Sequence, residues 1–378
     1  MNSSHWSSTK TAILRAFLLN MSEGATDDLL LESEVSTFEF VTEGVLISTV
    51  GVLGVVANLV SLIILSRPQM RSSVNCGLQG LAVFDTMVLI CAVLMLGLNK
   101  LGSRVSWLRH YSIHLSPLII PVAYPVGLIA QTGSVWTTVA VTAERYVAVC
   151  HPLRAKALCT YRRARCLQLM VTLAAVVYNI PRFWEVEHTE SFSPEMNRTV
   201  YRVVASQLRV NKLYYEVYHV WLYLLVMYFI PFLVLAVLNT HIWRTVRRAN
   251  VERRTLSRKQ EGEFGLATML LCVVCVFLAC NILALLVNVV EYFDVFLPPL
   301  VWVSNLLVTV NSSVNFVIYC IFGRKFKRTF LVVFCRYPTR RVSINDSFQG
   351  STWIRFRTVK SSTGSLNHSV YVNGNCHI

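Results

Sequence analysis

The chain has 378 residues, 54% hydrophobic and 15% charged, with a net charge of +15. A soluble domain carries about 25% charged residues, so this composition speaks against a pair of ordinary soluble domains. The positive charge alone would suit a nucleic-acid binder. Its distribution does not, because the basic residues gather in short segments between long apolar runs.

Residues 1–41 are polar, apart from the short apolar stretch 11–19, which Arg15 interrupts. That stretch is too weak for a cleavable leader, so the first long apolar run is expected to direct insertion itself. Such runs occupy 42–66, 74–97, 115–149, 164–183, 217–243, 264–290 and 297–322. Each supplies the roughly 20 residues, at about 1.5 Å rise each, that cross a hydrocarbon core of about 30 Å. Lipid satisfies no backbone polar group, so the runs should be helices. Membrane strands would be shorter and would alternate.

The segments 1–41, 98–114, 184–216 and 291–296 fall on one side and are rich in acids. The other side collects most of the Lys and Arg, chiefly in 154–165, 244–259 and 324–360. Positive loops stay cytoplasmic, which places the amino terminus outside and the carboxyl terminus inside. The Asn-X-Ser/Thr triplets at Asn2, Asn20 and Asn197 then lie outside, where glycans are added. None of the eleven cysteines lies in an outer segment, so no outer disulfide is expected.

The predicted architecture is an all-α membrane protein, a seven-helix transmembrane bundle with a short amphipathic eighth helix. Its parts are an extracellular glycosylated tail (1–41), the transmembrane domain (42–322), the eighth helix (323–335) and a disordered cytoplasmic tail (336–378). In the eighth helix Phe326, Phe330 and Phe334 recur at i, i+4 with Lys327 and Arg328 between them, an interfacial pattern. Cys335 follows and is a candidate for palmitoylation.

Within the spans, an ionisable residue is a functional candidate by default. Asp85 is the only one near a midplane, about 16 Å from the inner end of its span by helix rise. Ser134 and Asn311 share that depth by register, and Asn315 lies one turn further inward. A carboxylate with hydroxyl and amide partners can hold a sodium ion or a proton; the alternative is a neutral Asp that fixes helix packing. No cofactor is expected beyond that ion.

The stretch TAERYVAVCHP (142–152) ends the third run. Glu144 and Arg145 stand there side by side. Arg145 can snorkel to the interface, or it can be held by one carboxylate and then another, with Glu263 at the start of the sixth run as the second partner. The latter arrangement is a two-state element.

With these residues in place, the sequence resembles the rhodopsin-like class of G-protein-coupled receptors over about 42–335. Asn58, Leu81-Ala82-Val83-Phe84-Asp85, Glu144-Arg145-Tyr146, Pro231, Phe277 with Cys280, and Asn315-Phe316-Val317-Ile318-Tyr319 look like that class's motifs. Within the class, AVCHPLRAKALCTY (148–161), YNIPRFWEV (178–186), GLATMLLCVV (265–274) and NSSVNFVIYCIFGRKFKRTF (311–330) resemble the arthropod FMRFamide neuropeptide receptors. The resemblance implies an amidated peptide ligand bound from outside and a heterotrimeric G protein bound inside. It also implies arrestin and receptor kinases acting on the Ser-rich tail, and residence in the plasma membrane. It makes Glu144, Arg145, Tyr146, Glu263, Asn315 and Tyr319 the switch residues. The chain departs from the class at Asn281, Leu283 and Phe316, where Trp, Pro and Pro are usual. It also lacks the class's disulfide between the third span and the second outer loop, which predicts a more mobile 184–214.

By register, Gly127 stands where amine receptors carry an aspartate, and Thr309 where opsins carry a lysine. A small amine lacks its anchor, and a Schiff base has no amine to form on. The outer half offers Tyr124, Gln131, His219, Asn288, Glu291, Trp302 and Asn305 as ligand contacts. Glu291 heads the set as partner for a cationic ligand, against the plainer reading of interfacial aromatics and solvated acids. Competing readings are a receptor of the same fold for another peptide or a small chemosensory ligand, and a transporter. No internal repeat supports a transporter. A single membrane acid and no HExxH motif speak against an enzyme.

Overall fold

The computed structural model describes residues 37–193, 198–251, 258–293, 295 and 297–334. Seven helices are long and apolar enough to cross a membrane: span one Thr37–Leu65, span two Ser73–Arg104, span three Ser106–Cys150, span four Tyr161–Trp184, span five Tyr214–Arg248, span six Gly265–Tyr292 and span seven Pro298–Phe322. Most reach past the apolar runs that foretell them, because a helix continues into the headgroups once its backbone bonds are made. A short helix, Arg324–Phe334, follows Gly323.

The bundle exposes many large apolar side chains, as helices solvated by lipid should, and buries polar groups among its apolar core. Span four shows this most plainly: only Ala175 and Asn179 are buried in Tyr161–Asn179, while Leu169, Met170, Leu173 and Val177 face outward. Small residues permit close contact. A Cβ on Gly133 would lie 2.4 Å from the Phe84 ring, so spans two and three meet there only because Gly133 has no side chain.

Spans one, two, three and five each carry π-helical stretches. Span five is π-helical over Tyr214–Leu222 and Leu225–Phe229, just ahead of Pro231, whose ring nitrogen has no hydrogen to donate. Span seven runs through Phe316 as α-helix. Phe316 packs on Phe326 and Phe330 of the short helix, with ring centroids 5.9 and 5.7 Å away. Span six has no proline; Asn281 donates to the Phe277 carbonyl of its own helix at 2.8 Å.

One element lies outside the all-helical expectation. Strands β1 (Val186–Ser193) and β2 (Arg198–Ala205) form an antiparallel hairpin, with Val186 opposite Ala205 and Ser193 opposite Arg198. Val186 and Val203 pack on Ile120 near the outer end of span three. The segment predicted to be loose thus carries regular pairing and an apolar footing.

Candidate functional site

Three constellations stack through the bundle. The first is a cavity of about 310 Å³ between spans two to seven, with Arg182 of span four and Arg209 in its wall. Tyr124, Gln131, His219, Asn288, Glu291 and Asn305 all line it, as do Gly127 and Thr309. Trp302 does not. Span seven turns Val301, Ser304, Asn305 and Val308 toward the cavity, a spacing of three and four that marks one helix face. Trp302 falls off that face and is buried beside Phe38 of span one, with ring centroids 6.0 Å apart. Asn305 also donates to Glu43 Oε1 at 2.9 Å, which ties the cavity wall to span one.

Sequence reasoning missed an ionic cluster at the cavity's edge. Glu185, fully buried, sits at the foot of β1. It accepts from Arg182 Nη1 at 3.0 Å, Arg209 Nη1 at 2.6 Å, Tyr214 Oη at 2.7 Å and Tyr124 Oη at 3.0 Å. Burial opposes its charge. The His219 ring 3.7 Å away and the Arg209 and Arg182 guanidiniums outweigh that, and they hold the carboxyl well below the usual range. Both guanidiniums also donate to His219 Nδ1, Arg209 at 2.6 Å. The Arg182 plane lies over Tyr218 at 4.8 Å and Tyr223 at 5.6 Å. Arg182 and Glu185 are spaced i, i+3, a pairing visible in sequence; Arg209 comes from a separate helix and leaves no such trace. Among the described residues Glu291 has no ion-pair partner; Arg209 acts on it across the cavity.

Below the cavity, Asp85 is fully buried. Ser134 donates to its Oδ1 at 2.7 Å and Asn315 to its Oδ2 at 2.8 Å. Ser312 adjoins the carboxylate as well. Asn311 is not among these partners: shared depth does not give shared azimuth, and spans one and two meet the face carrying Ser312 and Asn315. Asn58 fastens span one to this level through the Ser312 carbonyl at 2.9 Å. The carboxylate and the two serine hydroxyls are hard oxygen donors of the kind sodium takes. No group of three or more His, Cys, Asp or Glu occurs among the described residues, so softer metals find no cage there.

At the end of the bundle opposite the cavity, Arg145 is buried with Nη2 3.6 Å from Glu144 Oε1. Tyr146 meets His151, Oη to Nε2 at 3.2 Å, and turns its ring edge to His241 of span five. Tyr319 is buried against Phe326. The Glu263 side chain lies outside the described residues, as do Asn2, Asn20, Asn197 and Cys335.

Residues 57–319 match the 7 transmembrane receptor (rhodopsin family) model. The chain belongs to the rhodopsin family of seven-transmembrane receptors. The receptor is 48% identical to the FMRFamide receptor of Drosophila melanogaster over 311 residues, 82% of this chain and 56% of that one. The chain therefore spans little more than half the length of that relative. It is 34% identical to the probable G-protein coupled receptor frpr-1 of Caenorhabditis elegans, over 78% of this chain and 79% of that one. A second nematode protein, FMRFamide peptide receptor frpr-18, is 31% identical over 82% of this chain and 73% of its own length.

Proposed function

We propose that this receptor binds an amidated peptide of the FMRFamide class from outside and activates a heterotrimeric G protein inside. The observation that carries the reading is Glu291. It is an acid without an ion-pair partner among the described residues, set in a cavity whose basic lining residues Arg182 and Arg209 are already paired with Glu185. A peptide ending in Arg-Phe-amide brings the matching cation. The names borne by the fly and nematode relatives support the same ligand class.

In this reading the amino terminus faces outside the plasma membrane, with glycans at Asn2, Asn20 and Asn197. The basic inner segments meet the G protein and anionic lipid. Receptor kinases and arrestin act on the tail, and Cys335 carries a lipid. Glu144 holds Arg145 in the resting state, and Glu263 is the alternative partner. A sodium ion at Asp85, with Ser134 and Ser312, favours the resting state. Agonist and G protein each favour the active state, so each raises the other's affinity.

The test is expression in cells, with RF-amide and unrelated peptides applied and calcium and cAMP read out. A response to RF-amides alone is expected. Silence to every RF-amide with a response to another ligand would favour the alternative, a receptor of the same fold for a different peptide or a chemosensory molecule.

A further inference from the structure

The charge lining the cavity is not the acidic rim that the loop composition foretells. Glu185 is spent: it is fully buried and already accepts hydrogen bonds from four residues, Arg182, Arg209, Tyr124 and Tyr214. It does not line the cavity, whereas both arginines do. Two guanidiniums against one carboxylate leave this wall with one positive charge in excess. Glu291 lies on the other side, close enough for Arg209 to act on it. The cavity is therefore polarised, with a positive lobe at the ends of spans four and five and a negative one at the end of span six.

A cationic side chain is repelled from the positive lobe and drawn to Glu291. What the lobe receives is a group presenting oxygen, which guanidinium N–H groups bind as charge-assisted acceptors. The lobe is also held ready in advance: Tyr218 and Tyr223 back the Arg182 plane, and Glu185 fixes both guanidiniums. Such preorganisation reduces the ordering cost of binding.

We propose that Arg182 and Arg209 form the subsite for the peptide's C-terminal carboxamide, its oxygen turned to the guanidiniums, and that Glu185 sets the charge of that subsite. This rests on the amidated-peptide reading. The peptide's arginine then points to Glu291, and the C-terminal residue lies toward spans four and five.

The experiment compares two forms of one RF-amide peptide, carboxamide and free acid, by competition binding on the full-length receptor. Wild type, E185Q and R209Q are compared, with surface expression measured for each. E185Q leaves two unbalanced guanidiniums and should shift the acid-to-amide affinity ratio toward the acid by about tenfold, the weight of one charge-assisted hydrogen bond. R209Q removes the excess charge and should shift the ratio toward the amide by a similar factor. Loosening of the hairpin alone would weaken both peptides equally and leave the ratio fixed. An unchanged ratio in either variant that reaches the surface overturns the proposal; should one variant be retained in the cell, the other decides. Wild-type receptor that binds neither form would instead sink the amidated-peptide reading.

Discussion

Glu144 and Arg145 make one sharp prediction. If their 3.6 Å contact holds the resting state, Glu144→Gln should raise ligand-independent signalling about threefold to tenfold, the effect of roughly 1 kcal/mol on a two-state balance. Arg145→Ala should keep peptide affinity and lose G-protein activation. Normal signalling by Arg145→Ala, read as nucleotide exchange, would leave snorkelling as a sufficient account. Asp85 separates structural from ionic roles. Asp85→Ala strands the Ser134 and Asn315 donors in a dry interior. A buried group left unpaired costs about 1–3 kcal/mol, which a thermal unfolding assay in detergent would show as a lowered midpoint. Asp85→Asn keeps the bulk and removes the charge, so agonist affinity should cease to depend on sodium. Undiminished sodium dependence in that variant would exclude Asp85 as the ion's ligand.

At the scale of elements, the outer hairpin is where sequence and structure differ most. A missing disulfide predicts a looser loop. The structure provides Ile120 under Val186 and Val203, and the four-donor clasp on Glu185. Because the carboxyl is held below its ordinary value of 4.5, the clasp is complete above that value. It loosens only as pH falls further, through the depressed one. Amide protection factors in β1 and β2 should therefore be high and unchanged between pH 7 and about pH 5, and should fall in Glu185→Ala. Exchange as fast as in an unpaired loop would restore the sequence expectation. The spans themselves were legible because lipid demands about 20 apolar residues each. The hairpin was not, because its order comes from contacts with spans three, four and five rather than from its own composition. Likewise register placed Asp85, Ser134 and Asn311 at one depth with Asn315 a turn further inward, yet packing brings Ser312 rather than Asn311 to the carboxylate; depth follows from counting residues, azimuth only from neighbours. Trp302 was misplaced for the same reason.

Over the whole molecule, span seven runs past all three polar layers. Asn305 lines the cavity and Asn315 meets Asp85 on the same span, and Tyr319 below them packs on the short helix. Spans six and seven lack the class's prolines at 283 and 316. Helix movement must then be absorbed elsewhere, and the π-helical stretches of span five next to Pro231, which carry the cavity residues Tyr215 and His219, are one irregular element placed to do so. The central claim is that a peptide's cation is read by Glu291. Its most direct test is a charge exchange on the full-length receptor, with RF-amide potency measured for wild type and Glu291→Lys, each against the native peptide and one with glutamate in place of its arginine. The account predicts that Glu291→Lys loses at least about tenfold in potency to the native peptide and recovers part of it with the glutamate peptide. Full potency of the native peptide on a surface-expressed Glu291→Lys receptor would contradict it.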